Sequence, residues 1–213
     1  MNPIREFYNN PYFENLKETK PFLDYLETEK KKIKETFNGG KILDIGCGNG
    51  RSTEIISNLA EEVIGIDFSR RLLEQARKKI KNKSNVKLYL EDAKSTHFEN
   101  EEFDYITMFW NTFGNLYSSR NDVLNEAIRI LKPKGKIFLS VFSEKVLEHY
   151  KKMLKENKLK IEQSDENYVF LREGLVSERF SKEKLKRILK DNNLVGKITP
   201  LTEITYWVEA TKK

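Results

Sequence analysis

The run Gly46-Cys47-Gly48-Asn49-Gly50 follows one short apolar segment directly, and acids stand near the ends of three successive apolar segments, at Asp44, Asp67 and Asp92. Glycines at such a hand-over let backbone N–H groups approach a ligand without interference from a Cβ. A carboxylate two residues before the first glycine is expected to face the loop, where it could hold a cationic amine directly or through water. Asp67 lies 21 residues beyond Gly46, near the ~20-residue spacing at which an acid reaches a ribose diol, and two hydroxyls facing one carboxylate make a bidentate, charge-assisted pair. At Asp92-Ala93 a carboxylate could accept from the exocyclic amine of an adenine while the next backbone N–H meets a ring nitrogen, with Phe68 packing on the ring face. The ligand so described has an amine, a ribose and an adenine, and no polyphosphate. A dinucleotide fingerprint, G-x-G-x-x-G, would need a third glycine where Arg51 stands.

These residues need a scaffold of strands and helices in alternation, and the chain supplies one. Strands are expected over 41–45, 62–67, 86–90, 103–109 and 136–142. Helices are expected from Pro21 to the stop at Asn38-Gly39-Gly40, over 51–60, after an N-cap at Ser69, and over 122–131. Beyond Ser143 the rhythm changes to a helix over 144–156, strand-like segments over 158–163, 168–172 and 175–180, a helix capped by Ser181, and a terminal strand pair over 194–199 and 204–210. The 213 residues divide into an N-terminal helical lid (1–40), a cofactor core (41–142), a substrate-side insertion (143–180) and a C-terminal helix with a hairpin (181–213), all in one domain.

The segments KILDIGCGNG, VIGIDFS, EDA and LNEAIRILKPKGKIFLS, in this order over about 41–142, resemble the class I S-adenosylmethionine-dependent methyltransferases. That resemblance implies an α/β fold with a Rossmann-like, doubly wound, seven-stranded, mostly parallel sheet whose last strand is antiparallel. It also implies S-adenosyl-L-methionine as cofactor, with its methionine part at Gly46, Gly48 and Gly50, its ribose at Asp67 and its adenine at Asp92. Cys47, Phe68, Ala93 and Phe109, with Asp44, complete the expected cofactor-binding set. The loop WNTFGNLYSSR sits where the family places the cofactor's amino-acid end and the acceptor, so Asn111 and Tyr117 are candidates beside the acceptor. NTFGNL loosely resembles a loop of glycine- and sarcosine-type N-methyltransferases, and the nucleic-acid amino-methyltransferase signature, Asp or Asn before Pro-Pro-Tyr or Pro-Pro-Phe, is absent there. Tyr8 and Tyr12 fit a lid over the cofactor and an anchor for the first helix equally well.

Plainer readings stand beside these. Cys47, the single cysteine, has no paired base and reads as a small buried filler. His97 and His149 lack metal-ligand spacing, so no metal is expected. Arg172, Glu178 and Arg179 are candidates for acceptor recognition, although charged residues at such positions are usually solvated. The net charge of +6 invites a nucleic-acid partner, yet in ETEKKKIKE (27–35) acids flank the lysines, as on a solvated helix face. No apolar run approaches the ~18 residues a bilayer span requires, so a cytoplasmic protein without a membrane partner is expected. The reading taken is methyl transfer to N or O of a small molecule. RNA or protein as acceptor, and a non-catalytic cofactor-binding regulatory subunit, are the alternatives; the sequence indicates neither a general base nor an oligomeric state.

Overall fold

The computed structural model describes residues 3–10 and 16–212. Two helices, α1 (Pro3–Asn9) and α2 (Lys20–Thr36), precede the alternating part. Next come β1 (Lys41–Ile45), α3 (Arg51–Ile56), β2 (Glu62–Asp67), α4 (Arg70–Lys79), β3 (Val86–Leu90) and β4 (Phe103–Met108). A short α5 (Thr112–Asn115), α6 (Arg120–Ile130) and β5 (Leu131–Phe142) follow. The remainder is α7 (Leu147–Glu156), β6 (Ile161–Ser164), β7 (Tyr168–Leu171), β8 (Val176–Glu178), α8 (Lys182–Asp191), β9 (Leu194–Thr202) and β10 (Thr205–Lys212).

Seven strands form one sheet in the order β3-β2-β1-β4-β5-β10-β9. Strands β1 to β5 run parallel, and β10 is antiparallel to both β5 and β9. The expected Rossmann-like sheet with an antiparallel last strand is therefore the observed one. Its order reverses between β1 and β4, the switch point at which open α/β sheets leave a crevice beyond their strand ends. Strands β1 and β2 are buried over nearly their whole length, as strands covered on both faces must be. Ser69 caps α4, its Oγ accepting from the Leu72 N–H at 3.3 Å.

Three details differ from the sequence reading. Helix α3 ends at Ile56 rather than near residue 60, closed by a turn in which Ser57 Oγ donates to the Glu54 carbonyl. Strand β5 begins at Leu131 and runs through Pro133, ahead of the expected start at residue 136; β10 pairs only with Lys136 to Phe142, so the missing Pro133 N–H leaves no ladder bond unmade on that side. The 27–35 stretch carries a residue with no exposed surface, Glu29, in place of a wholly solvated face.

Strands β6, β7 and β8 form a separate antiparallel sheet. Its Val169 and Leu171 share one apolar cluster with Phe7 of α1, Phe22 and Tyr25 of α2, and Tyr150 and Leu154 of α7. The N-terminal helices and the 143–180 segment, far apart in sequence, are thus one packed layer over the carboxyl ends of the sheet strands. Among the described residues no helix is long and apolar enough to cross a membrane, and no group of His, Cys, Asp or Glu is arranged to hold a metal ion.

Candidate active site

The turn after β1 is built on left-handed backbone at Gly46 (φ 68°) and Gly50 (φ 80°). A Cβ on Gly46 would lie 2.5 Å from Thr112 Cγ2, and one on Gly50 would lie 3.0 Å from Ala76 Cβ of α4, so both positions need glycine for space as well as for φ. Beside the turn, Asp67 ends β2 with its carboxylate accepting from the Gly48 N–H at 2.9 Å and the Ser69 N–H at 2.8 Å. Burial pushes its carboxyl up to about 6 against those two bonds, which act to lower it.

A cavity of about 370 Å³ opens on this turn. Gly46, Cys47, Gly48, Asp67 and Phe68 line one part of it; Phe109, Trp110 and Asn111 continue the wall beyond β4. Phe22 and Leu26 of α2, Tyr150 and Leu154 of α7, and Ser177 of β8 extend it into the added layer. Tyr8 of α1 also lines it. Its ring meets Phe68 edge-on at 6.0 Å and its hydroxyl accepts from Asn115 Nδ2 at 2.9 Å, while its carbonyl accepts from Arg71 at 2.9 Å. Tyr12, paired with Tyr8 in the sequence reading, lies outside the described residues.

The chain leaves β4 through two consecutive non-glycine residues in left-handed conformation, Trp110 (φ 53°) and Asn111 (φ 57°). For Trp this backbone is costly and needs outside support. The Trp110 N–H donates to Ser140 Oγ at 2.9 Å and to Glu29 Oε1 at 3.1 Å, and its ring stacks on Tyr25 at 4.8 Å. Glu29 in turn pairs with Arg51 at 2.5 Å and accepts from Ser140 Oγ. Burial opposes the Arg51 charge, yet Glu29 outweighs it and holds the guanidinium above its ordinary range.

The structure gathers most of the expected cofactor set and sets part of it aside. Gly46, Cys47, Gly48, Asp67, Phe68 and Phe109 reach the cavity wall, and Gly50 closes the turn behind it. Asp44 does not reach it: the side chain is 1% exposed beneath the turn and accepts from Ser52, Thr53 and Thr107 hydroxyls at 2.8 Å each. With three donors already in place, it serves as an internal strut. Burial still raises its carboxyl above the ordinary value. Asp92 also lies outside that wall. Its carboxylate accepts from its own Lys94 N–H at 3.1 Å and pairs with the Lys94 ammonium, while Ala93 packs against the main core.

Of the two acceptor candidates, Asn111 faces the cavity and Tyr117 does not. Asn111 is 1% exposed; its Nδ2 donates to Ser177 Oγ at 3.1 Å and its Oδ1 accepts from the Phe142 N–H at 2.9 Å, so it fastens the β4 exit to β5 and β8. Tyr117 is 42% exposed and packs edge-on against Tyr168 and Phe170 of β7. Among the insertion residues, Glu178 is consumed by Arg120 and Lys184, Arg172 is exposed, and Arg179 is buried with Nη2 donating to the Asp165 carbonyl. Cys47 is buried, and burial pushes its thiol well up, as befits an inert filler.

Sequence reasoning missed Glu29, Arg51, Tyr150, Ser177 and Glu18 in and around this wall. Glu29 and Arg51 carried one signal, an acid and a base among residues already assigned elsewhere; the other three carried none, because tertiary packing alone brings them here. Among known proteins, residues 42–135 match the family model described as "Methyltransferase domain". A demethylmenaquinone methyltransferase of Staphylococcus saprophyticus subsp. saprophyticus is 35% identical over 122 residues, covering 52% of this chain and 49% of that protein. One from Staphylococcus aureus is 36% identical over 123 residues, 54% and 48% of the respective chains. The chain thus spans about half the length of the curated relatives it matches. A Pyrococcus horikoshii OT3 protein superposes with a TM-score of 0.72 at 23% identity, covering 92% of this chain and 93% of its own. The DhpI-SAH complex superposes at 0.73 and 13% identity, covering 98% and 96%. These likenesses extend the shared fold to almost the whole chain.

Proposed function

We propose that this chain, whose residues 42–135 match the methyltransferase-domain family model and whose fold is shared with S-adenosylmethionine-dependent methyltransferases, is an enzyme that transfers a methyl group to N or O of a small, largely apolar molecule. One observation carries this reading. The glycine turn and Asp67 open on the same cavity whose other walls are the apolar side chains of α2, α7 and the loop after β4.

The residues fit the cofactor on their own chemistry. Asp67 is a desolvated carboxylate at the cavity wall, and two hydroxyls of a ribose would supply the solvation that burial removed. Gly46 has no room for a side chain and Gly48 takes left-handed backbone (φ 55°), so the turn presents backbone to the cavity. Bound there, S-adenosylmethionine supplies an electrophilic methyl carbon and departs as a neutral thioether, so the protein need not stabilise a charged leaving group.

What remains for the protein is alignment and exclusion of water. The strained Trp110-Asn111 exit fixes the wall between the two parts of the cavity, locked by Glu29, Ser140 and Ser177. Helix α1 covers the turn through Tyr8. The curated relatives are named for a demethylmenaquinone acceptor, and the apolar lining suits an acceptor of that general character. An RNA or protein acceptor would need its target group threaded into this lining.

Calorimetry with S-adenosylmethionine, S-adenosylhomocysteine and NAD tests the cofactor, and binding of NAD alone would overturn the reading. A labelled-methyl screen against metabolite, tRNA and protein pools tests the acceptor. Incorporation into extracted metabolites is expected, and label confined to tRNA or protein would replace the small molecule. Cofactor binding without transfer to any pool would leave a regulatory subunit.

A further inference from the structure

We propose that Glu18 is the proton-accepting residue of the acceptor subsite, and that the acceptor is an apolar, ring-sized molecule presenting one N–H or O–H group to it. The proposal rests on the reading above for the identity of the methyl donor.

Glu18 lies in the connection between α1 and α2 and lines the cavity together with Leu16, Phe22, Leu26 and Leu154. Its Oε2 is shielded from solvent and has no hydrogen-bond partner. Buried carboxylate oxygens are almost always satisfied, so this one calls for a donor that the fold itself does not provide. The neighbouring acids differ. Asp67 accepts from two backbone N–H groups, Asp44 from three hydroxyls, and Glu29 from Arg51, Ser140 and the Trp110 N–H.

The charged and titratable groups that act on Glu18 come from two elements. Arg51 of α3 attracts it, but that guanidinium is already matched by Glu29; Tyr150 of α7 faces it as a neutral phenol, bonded to Ser177 and pushed up to about 12 by burial. Burial raises the Glu18 carboxyl to about 7, against the pull of Arg51. A carboxylate tuned to that range accepts a proton readily from a reacting nucleophile.

The step balances. The acceptor's lone pair forms the bond to the methyl carbon, the S–C bond breaks with its electron pair left on sulfur, and the acceptor's proton passes to a Glu18 oxygen. The resulting carboxylic acid returns its proton to water when product leaves.

Binding of three probes to the full chain, followed by calorimetry, tests this: 2-naphthol, 2-(aminomethyl)naphthalene and 2-methylnaphthalene. At about pH 8 at least one of the two donor probes is expected to bind about tenfold more tightly than the methyl compound. Which of them does so decides between a hydroxyl and an amine acceptor. That advantage should fall away as the pH drops through about 7, where Glu18 protonates. In Glu18→Gln the pH dependence should disappear, and in Glu18→Asp it should survive with weaker binding. No advantage of either donor probe in the wild type, or the same pH-dependent advantage in Glu18→Gln, would overturn the proposal. Affinity for S-adenosylhomocysteine, measured on the same samples, separates the two readings: it should be equal in wild type and Glu18→Gln. A wild type that ignores it would sink the methyl-donor assignment while leaving the Glu18 result to stand by itself.

Discussion

Glu29 of α2 and Arg51 of α3 form an ion pair at 2.5 Å in which the carboxylate has no exposed surface. The same carboxylate receives the Trp110 N–H, so one buried charge ties α2 to the start of α3 behind the glycine turn and to the strained exit from β4. Removing one member of a buried pair costs more than the pair contributes, because the survivor is left uncompensated. Arg51→Ala is therefore expected to destabilise the fold by about 3–5 kcal/mol. Glu29→Gln, which leaves a partly exposed arginine, should cost less. Urea unfolding of both variants checks the order, and equal small losses would show that the pair is not a structural tie.

In the proposed reading, Asp67 holds the cofactor's ribose through its ionised carboxylate. Asp67→Asn should weaken S-adenosylhomocysteine by about 1–3 kcal/mol, the range for loss of a hydrogen bond to a charged acceptor. In the wild type that affinity should fall as pH drops below about 6, where the carboxyl protonates. Calorimetry across that range reads both effects, and a flat profile would remove the ribose role from this residue.

Glu18 and Asp67 make the same contribution to pH-dependent stability. Each carboxyl titrates higher in the fold than in the open chain, Glu18 moving from 4.5 to about 7 and Asp67 from 3.8 to about 6. Between those values the folded state holds more protons than the unfolded one, so stability declines as pH rises through about 4 to 7 and then levels. Glu18→Gln should accordingly stabilise the protein by about 1 kcal/mol above that window, with no gain below it. Thermal melts at the two extremes check the sign.

Gly46 and Thr112 are in close apposition across the turn. Gly46→Ala is expected to cost about 1–3 kcal/mol, from the left-handed backbone and from a new Cβ 2.5 Å from Thr112 Cγ2. Thr112→Ser deletes that methyl and keeps the hydroxyl, which donates to the Phe109 carbonyl at 2.7 Å. The double variant should recover part of the loss. A double-mutant cycle showing strict additivity would mean that backbone strain alone sets the cost.

Asn111 and Tyr117 should separate cleanly despite their closeness in sequence. Asn111→Ala strands the Phe142 N–H and releases Ser177, with an expected loss of about 2–3 kcal/mol and a weaker grip on any acceptor. Tyr117→Ala removes edge-on contacts to Tyr168 and Phe170 worth about 1 kcal/mol and should leave cofactor affinity unchanged. Denaturation and binding measured together distinguish the two.

The sequence by itself determined the sheet, the turn and the acid beside it. Apolar runs of strand length alternating with amphipathic ones leave little choice of topology, and a glycine run between β1 and α3 is a local necessity that any reader of the chain can see. Local spacing could say that Asp44 and Asp92 stand at strand ends; it could not say which way their carboxylates face. Tertiary structure decided that Asp44 is spent on Ser52, Thr53 and Thr107, that Asp92 turns to Lys94, and that Glu29 leaves the charged face of its helix to meet Arg51. It also set Glu18 against the cavity and joined α1 and α2 to the β6-β7-β8 sheet. Each of these depends on which donors and apolar surfaces arrive from distant segments, and a buried polar group takes its partner from whatever packing delivers, which no local pattern encodes.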